Sequence, residues 1–270
     1  MKRSERIAFL TKALIDSPNR VYSLRVFSEM TGASKTSLSE DIDILKRTFH
    51  KHQLGVIETI VGAGGGVRYK PQKNPAELAR SLNELLEQMQ DPSRLILNDF
   101  IYYGDILFNP AQLQDIALAM IALFAGEAID GVLTIETKGV PLALEVARLL
   151  GVRAMVARKT NRASEGTTLS VHYKSFSHNT IQSMHLTKGV IEKDAKILVI
   201  DDFMKAGGTI AGMKSLIKEN EAKFIGSCVF MQEISPAAPS EQHHYLFGLR
   251  KTDHELRVEI SPELERLIQT

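Results

Sequence analysis

Two adjacent aspartates, Asp201 and Asp202, stand between an apolar run and a loop of small residues. Residues 196–209 read Lys-Ile-Leu-Val-Ile-Asp-Asp-Phe-Met-Lys-Ala-Gly-Gly-Thr. The apolar run predicts a buried strand with the two carboxylates at its C-terminal end, and the loop predicts a helix opening near Thr209. In parallel α/β sheets ligands sit at the carboxyl ends of strands, so this is a binding position. Ala206, Gly207 and Gly208 let backbone N–H groups approach an anion closely, and the dipole of the following helix adds to the attraction. Thr209 can add a hydroxyl donor. Carboxylates beside a phosphate would repel it unless they faced another part of the ligand. A sugar diol fits, because carboxylates accept hydrogen bonds from both hydroxyls.

This segment resembles the PRPP-binding signature of the type I phosphoribosyltransferases: apolar strand, acidic pair, then Gly-Gly-Thr at fixed spacing. The resemblance implies that Asp201 and Asp202 bind the ribose hydroxyls of PRPP. It also implies that Lys205, Ala206, Gly207, Gly208 and Thr209 wrap its 5′-phosphate. Two further segments match by position. Residues 134–140, Thr-Ile-Glu-Thr-Lys-Gly-Val, follow an apolar strand and open a helix, as the family's pyrophosphate loop does. Thr137, Lys138 and Gly139 would then face the diphosphate. Arg158 and Lys159, followed by the polar stretch 160–168, resemble the flexible loop of adenine and xanthine phosphoribosyltransferases and would meet the same group.

Other nucleotide and metal motifs fail. The glycine run at 62–66 has Val67 where a dinucleotide fingerprint needs its third glycine, and no βαβ pattern surrounds it. There is no G-x-x-x-x-G-K-[ST] and no nucleophile elbow. The 8 histidines, His243 and His244 among them, lack metal-ligand spacing. The expectation is PRPP as effector, with or without Mg²⁺, and neither a required cofactor nor a metal held by protein side chains.

The elements that must position these residues are alternating. Helices are expected at 113–124, 141–150 and 209–220, with strands at 131–135, 154–158, 197–200 and 224–232. That order predicts an α/β fold with a parallel sheet flanked by helices. Asn74 and Pro75 open a linker helix within 74–92, with Leu78, Leu82, Leu85 and Met89 on its buried face. Cys228, the sole cysteine, lies in the apolar run 224–231 and reads as a buried thiol.

Ahead of the linker the pattern changes. Helices are expected at 6–15, at 24–30 and from about 34, the third carrying Leu38, Ile42, Leu45 and Phe49 as one apolar stripe. Ser37 and Glu40 suggest a capping box in its first turn. Strands at 56–61 and 67–70 flank the glycine run. Three short helices and a glycine-tipped hairpin describe a winged helix, which sets the division at 1–73 and 74–270. Lys35, Thr36 and Ser37 are the side chains expected to enter a major groove, with Arg68 and Lys70 of the wing on phosphates. Residues 1–70 hold 12 Lys and Arg against 7 Asp and Glu, a basic module on a chain of net charge +1. No apolar run approaches the roughly 18 residues a membrane helix needs, and the basic start leads into an amphipathic stretch, so the protein is expected in the cytoplasm.

Together the two halves resemble the purine operon regulators of Gram-positive bacteria across essentially the whole chain. Matching stretches include Arg3 to Arg6, Ser37 to Asp41, Thr137 to Gly139, Ser164 to Thr168 and Asp201 to Thr209. The resemblance implies a homodimer that binds double-stranded DNA upstream of purine genes and responds to PRPP. The rival is a working purine phosphoribosyltransferase with an appended DNA-binding domain. Against it, Phe203, Met204 and Lys205 stand where catalytic relatives usually carry smaller or aliphatic residues, and Phe203 can fill or reshape the base slot. Phe100, Tyr102 and Tyr103 could equally stack on a base, which keeps the rival open.

Overall fold

The computed structural model describes residues 1–62, 64–96, 100–175, 180–234, 243–251 and 256–269. The chain forms two compact units: Met1–Asn74 with Arg148–Gly151, and Pro75–Ala147 with Val152–Thr270.

In the first unit, α1 (Arg3–Asp16), α2 (Leu24–Thr31) and α3 (Lys35–His52) precede the antiparallel pair β1 (Val56–Ile60) and β2 (Gly66–Lys70). Each boundary has a local cause. Ser23 caps α2 by accepting from the Val26 amide, and Gly32 ends it with φ of 70°. Ser34, and not Ser37, caps α3; its Oγ accepts from the Ser37 amide at 3.2 Å, so the expected capping box starts one turn too late. The buried row Leu38, Ile42, Leu45 and Phe49 packs with Leu10, Leu14, Tyr22, Phe27, Ile57 and Val67. Each such side chain contributes about 1.5–3 kcal/mol on full burial. Asp41 is wholly buried and accepts from the guanidinium groups of Arg3 and Arg6, which ties α1 to α3. Gly66 lets the wing close on the Tyr22 strand bridge, since a Cβ there would sit 2.2 Å from the Tyr22 carbonyl oxygen.

The second part opens with α4 (Pro75–Met89), whose Leu78, Leu82, Leu85 and Met89 are buried as expected. A short ribbon of β3 (Leu95–Ile96) and β4 (Phe100–Ile101) leads to α5 (Gly104–Leu107) and α6 (Pro110–Ala122). Then come β5 (Gly131–Ile135), α7 (Gly139–Leu150) and β6 (Arg153–Ala157). The antiparallel ribbon β7 (Thr168–Ser175) and β8 (Thr180–Thr187) precedes β9 (Lys196–Met204), α8 (Gly208–Glu219), β10 (Lys223–Glu233), β11 (His243–Lys251), β12 (Leu256–Ile260) and α9 (Pro262–Ile268).

Six strands form one sheet in the order β12-β11-β10-β9-β5-β6. It is mixed, not wholly parallel: β12 runs antiparallel to β11, and only residues 252–255 separate the two, too few for a crossover. The remaining neighbours are parallel. From β5 the chain winds first to β6 on one side and later to β9 on the other. The switch point between β5 and β9 is where such a sheet opens a crevice at its carboxyl edge. The β7–β8 ribbon was not expected. Val171, Tyr173, Met184 and Leu186 alternate inward against Met213, Leu216 and Ile217 of α8. Gly212 makes room for them, with its Cβ position 3.0 Å from Tyr173 and Met184.

Candidate functional site

Both aspartates lie on β9, which runs four residues further than expected and ends at Met204. Successive strand residues face opposite sides of the sheet, so the pair divides its surroundings. Asp201 is buried, and its Oδ1 accepts from the Asp202 amide at 2.9 Å. Burial, then the neighbouring Asp202 charge, holds the Asp201 carboxyl well above the ordinary carboxylate range. Asp202 is half-buried, and its Oδ2 accepts from the Tyr103 hydroxyl at 2.9 Å. Burial, followed by Asp202, pushes the Tyr103 hydroxyl up, so it stays a donor.

The loop after β5 meets this strand directly. A Cβ on Gly139 would stand 2.4 Å from the Thr134 Oγ1 and 2.7 Å from the Asp201 Oδ1. Only glycine lets α7 start this close to the acidic strand. Lys138 is exposed and holds its Nζ 5.1 Å from the Tyr103 ring centroid, a cation–π placement. Thr137, also exposed, follows a cis peptide bond with Glu136. Thus Lys138, Tyr103 and Asp202 form one connected set at the switch point.

After β9, Gly207 takes φ of 76° and stands as the cap of α8 without a capping side chain. The first amides of that helix therefore receive nothing from their cap, which is what an anion nest requires. Ala206, Gly208 and Thr209 are half-buried around it, and Lys205 is exposed with its Nζ 3.3 Å from Glu233.

Four of the expected cations, Lys205, Arg158, Arg68 and Lys70, pair with carboxylates that the sequence reading missed. Arg158 donates to Glu165 at 2.7 Å and to Glu136 at 3.2 Å, while the Lys159 amide donates to Glu136 at 2.8 Å. An open cavity of about 460 Å³ lies beside Lys159, lined by Thr160, Asn161, Gln182, Ser183 and His185; the acidic strand does not line it. Arg68 and Lys70 both pair with Glu58, at 2.8 and 3.4 Å. The antiparallel register, with Glu58 opposite Arg68, was the signal available for that pair.

The aromatic group separates. Tyr103 points inward, its ring centroid 5.4 Å from that of Phe230, whereas Phe100 and Tyr102 are 61% and 47% exposed. Phe203 is half-buried within β9, opposite Met231 of β10. Lys35 and Thr36 are exposed on the first turn of α3, but the Ser37 hydroxyl lies 3.1 Å from the Ser34 hydroxyl as part of the cap. Cys228 is buried as expected. Among the described residues, no three His, Cys, Asp or Glu side chains gather as a metal-ion site, and no helix is long and apolar enough to cross a membrane.

Two family models match the chain: "Bacterial purine repressor, N-terminal" over residues 2–71 and "Phosphoribosyl transferase domain" over residues 103–257. The purine biosynthesis transcriptional repressor PurR of Bacillus subtilis (strain 168) is 39% identical over 231 residues, covering 86% of this chain and 81% of its own. The purine biosynthesis transcriptional activator PurR of Lactococcus lactis subsp. lactis (strain IL1403) is 35% identical over 232 residues, covering 86% of each. Among solved structures, adenine phosphoribosyltransferase from Rhodothermus marinus aligns with a TM-score of 0.50 and 21% identity, over 63% of this chain and 99% of that one.

Proposed function

Because the chain belongs to the family of purine biosynthesis transcriptional regulators named PurR, we propose that it binds purine-gene control DNA and senses PRPP without consuming it. In this reading residues 1–73 are the winged-helix reader, 74–270 the sensor, and 74–92 the link between them. The active species is a homodimer, whose two readers suit a pair of DNA half-sites.

One observation carries the sensor assignment: at the β5–β9 switch point Asp201 of β9 stands against the Gly139 loop, Asp202 bonds Tyr103, and the glycine-capped start of α8 follows the same strand. Asp201 and Asp202 take the ribose hydroxyls, and Lys205 to Thr209 take the 5′-phosphate. Thr137, Lys138, Gly139, Arg158 and Lys159 take the diphosphate. Mg²⁺, where it accompanies PRPP, rides on the ligand's own oxygens. Phe100 and Tyr102 are exposed enough to cover the ligand, with Tyr103 and Phe203 beneath.

The same arrangement supports binding without turnover. Transfer to a purine requires base and PRPP to be held in attack geometry. Here Tyr103 already occupies one oxygen of Asp202, and Phe203 continues the strand where a base slot would open. The test is a promoter-binding titration with and without PRPP, beside a pyrophosphate assay with PRPP and each purine base. PRPP-dependent DNA binding or promoter output without pyrophosphate release is expected. Pyrophosphate release would establish the enzyme instead.

A further inference from the structure

We propose that Asp43 and Arg47, at the centre of the outward ridge of α3, read two nearby C·G pairs in the operator's major groove. This rests on the DNA-binding reading above and names the residues that give it sequence preference. The buried row Leu38, Ile42, Leu45 and Phe49 fixes how α3 is rotated. At about 100° per residue, Thr36, Asp43 and Arg47 fall within about 40° of one another, half a turn from that row. All three are exposed. They form the ridge that enters a groove first, while Lys35 and Ser37 lie on its flanks.

A carboxylate on such a ridge is chemically specific. Phosphates repel it, so it is tolerated where it accepts from a base amino group, and the cytosine N4 amino group is the major-groove donor a carboxylate pairs with. Asp43 is 63% exposed, and its nearest cation, Lys46, stands 3.8 Å away, an exposed pair that holds it weakly. Glu40, the other carboxylate on this face, is drawn aside toward Arg3 of α1 at 3.6 Å. Arg47 carries the planar fork that matches guanine O6 and N7. Four residues advance a helix by about 6 Å, close to two base-pair steps of 3.4 Å. The two side chains therefore address neighbouring positions in one half-site.

The experiment uses the full chain and a randomised duplex library, followed by binding titrations on the recovered sequence and on its single-base variants. The native protein is expected to select C·G pairs at two nearby positions. Asp43→Asn should exchange cytosine for adenine at one of them, because an amide pairs with adenine N6 and N7; the preference ratio should move tenfold or more. Arg47→Ala should relax the guanine preference at the other by about tenfold. A residue that only supported the helix would weaken all duplexes equally and could not exchange one base for another. Failure of the native chain to select any duplex overturns the DNA-binding reading itself. Retention of the native preference by either variant overturns the assignment of that residue.

Discussion

The Tyr103 hydroxyl and the Asp202 carboxylate are hydrogen-bonded at 2.9 Å, from a tyrosine ring packed on Phe230 in the sheet core. A residue of the second unit's own interior thus touches one carboxylate of the acidic pair. The bond satisfies Asp202, since a half-buried carboxylate without a partner is costly. Tyr103→Phe should lower stability by about 1.5–3 kcal/mol, the range for a hydrogen bond to a charged group. PRPP should bind no more weakly, because the lost donor frees an oxygen for the ligand. Urea unfolding and calorimetry read the two effects separately. A tenfold loss of PRPP affinity would make the hydroxyl a ligand contact.

Asp201 shows the opposite economy. Its folded carboxyl titrates above the unfolded value because burial and Asp202 disfavour the charge. Such a group contributes stability below the unfolded pKa and loses it as pH rises through the folded one. At neutral pH the group therefore contributes less stability than its protonated form would. Asp201→Asn keeps an oxygen to accept from the Asp202 amide, and should raise the melting temperature by a few degrees at pH 7. The gain should shrink as pH falls toward 4, and PRPP affinity should fall at least tenfold. A melting temperature unchanged or lower at pH 7 would show that the buried charge is compensated.

His243 gives a second pH term of different sign. Its Nδ1 lies 2.8 Å from the Ser227 hydroxyl and its Nε2 2.8 Å from the Gln232 side-chain oxygen. Burial, with His244 adding to it and Glu263 opposing, lowers its pKa to about 4. The unfolded chain therefore binds the proton first. Stability from this group is complete above pH 6.5 and is lost as pH falls toward 4, by on the order of 3 kcal/mol. His243→Gln should be less stable at pH 7 yet lose less between pH 7 and 4, as followed by urea midpoints. Parallel curves for the two proteins would remove His243 from the acid transition.

Much of this is legible in the sequence. The acidic pair, the glycine loop and the Leu38 stripe are local patterns, because spacing along one element sets which face a side chain takes. The partners of those residues were not legible. Tyr103 and Asp202 are 99 residues apart and meet only through the sheet order. Glu136, Glu165 and Glu233 had no assigned role until the fold set them beside Arg158 and Lys205. The β7–β8 ribbon carries alternating apolar residues at Leu169, Val171 and Tyr173, but no expected element covered residues 169–187.

On the wing, Glu58 holds Arg68 and Lys70. Glu58 is held below the usual carboxylate range by its bonds with Arg68 and Lys70, against the opposing effect of burial. If both cations serve phosphates, the carboxylate competes with DNA for them. Glu58→Gln should strengthen promoter binding up to about fivefold, in line with the roughly 0–1 kcal/mol of such pairs. The salt dependence should also steepen, by up to about one phosphate contact per released cation. Unchanged affinity and slope, measured by anisotropy from 50 to 200 mM salt (about the range over which phosphate contacts show), would place the wing off the DNA.

Linkage between the two functions requires a particular outcome from Asp201→Ala combined with Asp202→Ala. Both changes remove the diol acceptors and leave the α8 amides and the winged helix untouched. A ligand shifts an equilibrium only by its differential affinity for the two states, so a protein that cannot hold PRPP cannot be moved by it. The double variant should bind its promoter like the native chain, while PRPP no longer alters binding or transcript yield. The native protein supplies the reference response, and PRPP recovered intact after incubation with purine bases separates sensing from turnover. A persistent PRPP response in the variant places the sensor elsewhere. Loss of promoter binding without PRPP would make the acidic pair a structural element, because a pure ligand contact has no means of acting on DNA when the ligand is absent.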